Sequence, residues 1–203
     1  MIRYITIERE YGSGGTEIAE LTAKNCGIAY YGPQILQTVA QRQHVSLEEL
    51  QQYEESVSNS FLYSLFVVSQ SQTGDPDLLS GEAKLFVAEA RVIGELAKKG
   101  PAIFVGHSAC QALKDQEGLI RVFIRAEDDY KKQRIIRDYG IPADQVDSIC
   151  QKFNRKRANY YQFCTRKKWN DAGNYDIVLD SSRLGTEGCV RALTAIYQAG
   201  NHS

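Results

Sequence analysis

A chain of 203 residues, 43% hydrophobic and 24% charged, has the length and apolar content of one globular domain with a full core and room for an insert. Its formal net charge of −1 excludes bulk attraction to nucleic acid or membrane, so an anionic partner has to meet a local basic patch. No apolar run is long enough to cross a bilayer and the N-terminus lacks signal-peptide order. Cys26, Cys110, Cys150, Cys164 and Cys189, scattered without a CxxC pair, read as reduced thiols of a cytoplasmic protein.

In chain order, the β-rich alternation of residues 2–7 predicts a short strand. The glycines of EREYGSGGTEIA (8–19) follow, and Thr16 starts a helix whose Ile18, Ala19, Leu21 and Thr22 share one side. Gly27 ends that helix and IAYY (28–31) predicts a second strand. Helical patterns fill most of 33–100: PQILQTVAQRQ, SLEELQQYEES, the apolar FLYSLFVV (61–68), and a long one around Leu85, Val92 and Leu96. Gly74, Asp75 and Pro76 break that region in two. AIFVG (102–106) and LIRVFI (119–124) are continuous apolar runs, the pattern of strands buried on both faces. Helices are expected at 108–115 and 127–139, a basic helix over 142–159, a last strand at YDIVLD (175–180) and a last helix at 186–199. Strands alternating with helices imply an α/β domain with a parallel sheet.

Against the phosphate-loop pattern GxxxxGK[ST], Arg9 stands at the first glycine, Gly14 at the second, Gly15 at the lysine, and Thr16 at the hydroxyl that meets Mg²⁺. Glycines at 12, 14 and 15 permit positive φ and close approach of an anion to backbone amides. A tight turn without a ligand would use the same residues. Position favours the phosphate, because ligands collect at the carboxyl ends of parallel strands.

The second unusual stretch is KFNRKRANYYQFCTRKK (152–168), with Lys152, Arg155, Lys156, Arg157, Arg166, Lys167, Lys168 and no acid. It reads as a solvated face, as a nucleic-acid surface with Tyr160, Tyr161 and Phe163 stacking on bases, or as a lid over nucleotide phosphates. A glycine loop without its lysine needs cations from elsewhere, which favours the lid. Mutual repulsion predicts that this lid stands open until an anion neutralises it.

ITIEREYGSGGTEIAE, AIFVGHSACQAL, VFIRAEDDYKKQRI and NRKRANYYQFCTRKKWNDAGNYDIVLDSSRLGTEG together resemble the cytidylate kinase-like family of P-loop nucleoside monophosphate kinases, the last block most specifically. The resemblance implies a P-loop kinase fold in a single domain over 1–203. A five-stranded parallel sheet is flanked by helices, with a helical substrate-binding insert at 33–100 and a basic lid at 142–170. It implies transfer of the γ-phosphoryl of ATP, with Mg²⁺, to a nucleoside monophosphate, foremost CMP. On its terms Arg9, Gly12, Ser13, Gly14, Gly15, Thr16 and Glu17 hold the donor phosphates, with Thr16 also at the metal. Arg157, Arg134 and Lys131 are its catalytic cations, and His107, Tyr31, Lys167 and Lys168 belong to the acceptor side.

This chain departs from the family pattern at several places. His107 stands where arginine is usual, Asn154 where the lid commonly has aspartate, and Arg166 where glycine is usual. No acid ends the AIFVG strand, and Asp180 matches an acidic position whose role is unassigned. Two other classes stay open: a nucleotide sensor with little turnover, and an RNA-binding module on 152–168. FLYSLFVV reads as core or as the surface of a homodimer formed through the insert. Trp169 reads as an anchor for the lid's end, His44 and His202 as surface, and Glu48, Glu49, Glu54 and Glu55 as a solvated helix face.

Overall fold

A computed structural model describes residues 1–44, 46 and 81–201. SLEELQQYEES beyond its first residue, FLYSLFVV, the Gly74 to Pro76 break, Glu48, Glu49, Glu54, Glu55 and His202 lie outside the described residues, and the homodimer reading lies with them.

In chain order the elements are β1 (Tyr4–Arg9), α1 (Gly15–Cys26), β2 (Ala29–Tyr31), α2 (Pro33–Gln43), α3 (Gly81–Ala97), β3 (Ala102–Val105), α4 (Ala109–Ala112), β4 (Leu119–Arg125), α5 (Asp128–Tyr139), α6 (Val146–Thr165), β5 (Ile177–Asp180) and α7 (Ser181–Ala199). The five strands form one parallel sheet in the order β2-β3-β1-β4-β5. β1 lies in the middle, with Tyr4 opposite Ala102 on one side and Leu119 on the other. A central parallel strand is covered on both faces, so most of its residues are apolar, with Thr6 and Glu8 the buried polar exceptions. Ile5 and Ile7 pack with Ile18, Val122 and Leu193 under α1 and α7. Tyr4 packs with Ile35, Leu85, Ile93 and Phe104 under α2 and α3. These packed faces carry most of the fold's stability. A third, aromatic cluster of Phe123, Tyr161, Trp169 and Tyr175 ties the end of α6 to β4.

Three elements differ from the sequence pattern, each for a local reason. The helix expected at 108–115 is reduced to the four residues of α4, because Gly106, His107 and Ser108 all hold positive φ (72°, 54°, 47°) and delay its start. The basic helix begins at Val146, since residues 142–145 close a turn in which Gln145 N–H donates to the Pro142 carbonyl (2.9 Å), and it continues to Thr165. The last helix begins at Ser181, earlier than expected, and kinks at Gly185 (φ 66°, ψ 168°). Asp180 caps it, accepting from Ser182 N–H at 3.1 Å, which gives that acid a structural role.

Parallel strands bring the carboxyl ends of β1, β3, β4 and β5 to one edge, where the glycine loop of residues 10–14 sits. The loop is fastened there from behind. Glu10 N–H donates to the Ile124 carbonyl (3.0 Å), and the buried Ser181 hydroxyl donates to the Ser13 carbonyl (2.7 Å) beside the Arg125 carbonyl (3.2 Å). Ser181→Ala leaves that buried carbonyl without its donor, so it should cost about 1–3 kcal/mol. A lowered urea midpoint with unchanged slope is the expected result; an unchanged midpoint would show that the loop does not depend on this tie.

Candidate active site

The loop exposes its backbone and hides its side chains. Gly12 and Gly14 hold φ of 82° and 76°. A Cβ on Gly12 would lie 2.9 Å from Ile135 Cδ1, and one on Gly14 would lie 3.0 Å from Arg134 Cζ, so α5 presses closely on the loop. Ser13 is buried and its hydroxyl turns inward to the Glu10 carbonyl (2.8 Å). The amides of Gly12, Gly14, Gly15, Thr16 and Glu17 find no acceptor among the described residues. Orphan amides at the positive end of a twelve-residue helix form a site for an anion.

The lysine position shows why glycine is there. A Cβ on Gly15 would stand 2.5 Å from Arg9 Cβ and 2.9 Å from Arg9 Cγ. The arginine stem fills the space a residue-15 side chain would need. Arginine at 9 and glycine at 15 are therefore one coupled exchange, in which the cation moves from the helix start to the strand end. The Arg9 guanidinium reaches Gly106 at the end of β3, where an added Cβ would meet Nη1 at 2.5 Å.

A second guanidinium comes from α6. Arg157 donates from Nη1 to the Arg9 carbonyl (2.9 Å) and lies 5.5 Å from the centre of the Tyr11 ring. Burial, then the charge of Arg9, pull Arg157 down to about 9, while Glu8 acts in the opposite sense; it stays cationic at neutral pH. Arg9, Arg157 and Lys156 line a cavity of about 640 Å³ together with Glu8, Leu36, His107 and Tyr160.

One buried carboxylate lines this cavity and a second pairs with its His107, and sequence reasoning named neither. Glu8 accepts from Trp169 Nε1 (3.1 Å), and burial pushes its carboxyl above the usual range against the opposing pull of Arg9. Glu89, fully buried on α3, accepts from the Tyr160 hydroxyl and lies 2.7 Å from His107 Nδ1. A signal existed: Glu89 falls four residues after Leu85 and three and four before Val92 and Ile93, so it interrupts an apolar stripe. An acid in that position needs partners from other elements.

The remaining predicted residues divide by place. Lys131 is buried beneath the loop, where its ammonium meets Glu10 (3.1 Å) and Asp128 (2.8 Å). Arg134 covers Gly14 and pairs with Glu17 and with Asp138 (3.3 Å). Both support the loop through acids. Tyr31 packs on Phe104 (5.3 Å between ring centres) and does not line the cavity. Lys167 borders a different cavity beside Gly118 and Leu119, at the amino end of β4, and Lys168 is exposed. Arg166, at φ 63°, ends α6 and turns the chain away, so neither lysine is brought to the loop. Trp169 is buried and anchors this end of the stretch; His44 is exposed.

The basic helix lies against the loop. Asn154 Oδ1 accepts from Tyr11 N–H (2.7 Å), and Phe153 stacks on Tyr11 with ring centres 4.5 Å apart. These neutral contacts hold the helix while its cations diverge: Lys152 and Arg155 point to solvent, Lys156 and Arg157 to the cavity. Tyr160 and Tyr161 are 6% and 3% exposed, so they offer no stacking platform to nucleic acid bases.

Residues 4–183 match the model of the cytidylate kinase-like family. The chain belongs to that family. No curated protein sequence matches it. Among solved structures, an uncharacterized protein from Eubacterium ventriosum ATCC 27560 is similar over 98% of both chains, with TM-score 0.69 and 22% identity. Shikimate kinase from Bacteroides thetaiotaomicron is similar over 96% of this chain and 98% of that one (TM-score 0.52, 15% identity). The Acinetobacter baumannii shikimate kinase, solved in complex with shikimate, is similar over 98% and 95% (TM-score 0.53, 13% identity). At such identities the likeness is one of fold, that of the P-loop kinases. Among the described residues no helix is long and apolar enough to cross a membrane, and no cluster of three His, Cys, Asp or Glu could hold a metal. A Mg²⁺ arriving with a nucleotide would find the exposed Thr16 at the first turn of α1 and would be held otherwise by phosphate and water.

The coupled exchange predicts a reciprocal rescue. Gly15→Lys alone should overpack against Arg9 and cost about 1–3 kcal/mol, whereas Arg9→Gly/Gly15→Lys should recover much of the loss and keep nucleotide binding. Equal stability of the single variant and wild type would refute the coupling. Glu8 makes a pH prediction. Its raised folded pKa means the native state holds the proton more tightly, so this contribution is complete below the unfolded value of about 4.5 and is lost as pH rises through the folded pKa. Glu8→Gln should therefore melt higher than wild type above the folded pKa of Glu8, by about 2–4 °C for each kcal/mol, with the advantage vanishing as pH falls toward the unfolded value. A pH-independent difference between the two proteins would contradict it.

Proposed function

We propose that this protein transfers the γ-phosphoryl group of ATP, accompanied by Mg²⁺, to a small anionic acceptor. One observation carries the reading: the amide-lined glycine loop meets the cationic cavity at Arg9, so a phosphate on the loop faces an acceptor within reach of Arg157 and Lys156. On the other side of the loop, Glu10, Arg125 and Asp180 border a second cavity of about 570 Å³, which suits the donor's nucleoside. Phosphoryl transfer is mainly positioning and charge stabilisation, and the parts here do that. Loop amides hold the donor phosphates; Arg9 takes the place of the loop lysine; Arg157 neutralises the transferring group; the docked helix excludes water. Mg²⁺ supplies charge neutralisation at the donor, and Thr16 is the residue that would meet it.

A cavity of this size suits a nucleotide-sized acceptor. The family resemblance names a nucleoside monophosphate, foremost CMP. A hydroxyl-bearing anion is the second candidate, favoured by the pairing of His107 with Glu89. Burial of Tyr160 and Tyr161 weighs against an RNA-binding role, and free Cys26, Cys110, Cys150, Cys164 and Cys189 suit the cytoplasm.

Two measurements test the proposal. Millimolar ATP·Mg²⁺ or ADP should raise the melting temperature, and no rise would reduce the loop to a turn. In steady-state kinetics by ADP release, Arg157→Ala should lower kcat by about a thousandfold with a smaller change in KM, whereas Arg155→Ala, on the solvent side, should cost little. Equal, mild effects would make the helix a solvated face. Nucleotide stabilisation without acceptor-dependent ADP release would favour a sensor of low turnover.

A further inference from the structure

We infer that the acceptor attacks through a hydroxyl group and that His107, held by Glu89, takes its proton. This rests on the phosphotransferase reading above and names the substrate class. A phosphate monoester loses its second proton near pH 6, so as an acceptor at neutral pH it needs cations and no base. A hydroxyl keeps its proton until the transition state, and a positioned base then matters. The cavity holds both kinds of group.

Three features point to a proton-accepting assembly. Glu89 is fully buried on the apolar face of α3, a costly position that only converging donors relieve. Among the described residues its donors include His107 after β3 and Tyr160 on α6. A carboxylate bound at Nδ1 fixes the hydrogen there and makes Nε2 the basic nitrogen of the ring, the arrangement of base and orienting acid. His107 lines the cavity, while Glu89 is not among its lining residues. Finally, Gly106, His107 and Ser108 form three successive left-handed residues, two of them with side chains that disfavour that conformation. The backbone is bent at this point to aim the imidazole. An arginine here would only neutralise Glu89; histidine can also accept a proton.

In the step itself the acceptor oxygen bonds to the γ-phosphorus, the bond from that phosphorus to the β,γ-bridging oxygen breaks, and ADP leaves with that electron pair. The hydroxyl proton passes to His107 Nε2 and then to solvent. Arg9 and Arg157 confine acceptors to anions, so the class is a small hydroxylated carboxylate or phosphate ester. Among the described residues, the charges at His107 and its cavity are Glu89 from α3, Glu8 and Arg9 from β1, and Lys156, Arg157 and the Tyr160 hydroxyl from α6. His107 is thus proposed as catalytic and Glu89 as its positioning residue.

The test uses the full chain with ATP·Mg²⁺ and reads ADP release from pH 5.5 to 8.5. Acceptors are water alone, CMP, D-gluconate, glycerate and ribose 5-phosphate. The wild-type rate should rise with pH through the histidine range and level off, with a hydroxy anion outpacing CMP. His107→Gln should lose about a hundredfold in kcat and lose the pH limb, with the KM for ATP within about twofold. His107→Arg, which restores the family's cation, should fall likewise. Glu89→Gln should move the limb to lower pH, because a neutral neighbour stabilises imidazolium less; a merely structural clamp would leave the limb in place. Turnover of CMP that is indifferent to His107, or ADP release with wild-type rate and pH profile in His107→Gln, overturns the inference alone. So does absence of ADP release with every acceptor while ATP still raises the melting temperature. Failure of ATP to bind overturns the phosphotransferase reading and the inference together.

Discussion

Two like charges meeting at the end of β1 organise this site. Arg157 donates to the carbonyl of Arg9, and burial followed by the Arg9 charge pulls its guanidinium down to about 9. Arg9 Nε is itself buried without a partner among the described residues. A fold does not ordinarily converge two guanidiniums in a cleft. Glu8 offsets part of the cost, and Trp169 holds Glu8 in turn. What remains is a deficit of negative charge beside orphan amides, which a phosphate would fill.

Everything else positions that deficit. The parallel sheet gathers the strand ends, and Ser181 fastens the loop from behind. Lys131 and Arg134 brace it from α5 through Glu10 and Glu17. α6 is held down by Asn154 and Phe153, neutral contacts made at the loop's own Tyr11. The docking contacts and the cations that line the cavity are therefore separate. Asn154 in place of an acid serves this, because an amide oxygen accepts from Tyr11 without adding a charge that would answer Arg157.

Much of this was legible in the chain. The strand runs at 102–106 and 119–124 and the glycine stretch stood out because burial on both faces and positive φ leave compositional marks. Family motifs pointed to Arg9, Arg157 and His107, which the structure brings to one cavity. Lys167 and Lys168 read as part of the same basic patch, yet one left-handed residue, Arg166, redirects them, and a charge count carries no such information. The partnership of Arg9 with Gly15 depends on contact across a turn, and that of Glu89 with His107 and Tyr160 joins residues 18 and 71 positions apart. Long-range polar contacts of this kind have no periodicity to betray them. Only the break in the apolar stripe of α3 hinted at Glu89.

If a nucleotide phosphate is what answers Arg157, the residue is retained at a cost to the empty protein. Melting curves of Arg157→Met with and without ATP·Mg²⁺ test this directly, since methionine keeps an apolar stem and removes the charge. The variant should melt at or above the wild-type temperature when empty and lose most of the rise that nucleotide produces. A variant that melts lower when empty yet keeps the full nucleotide-dependent rise would contradict it.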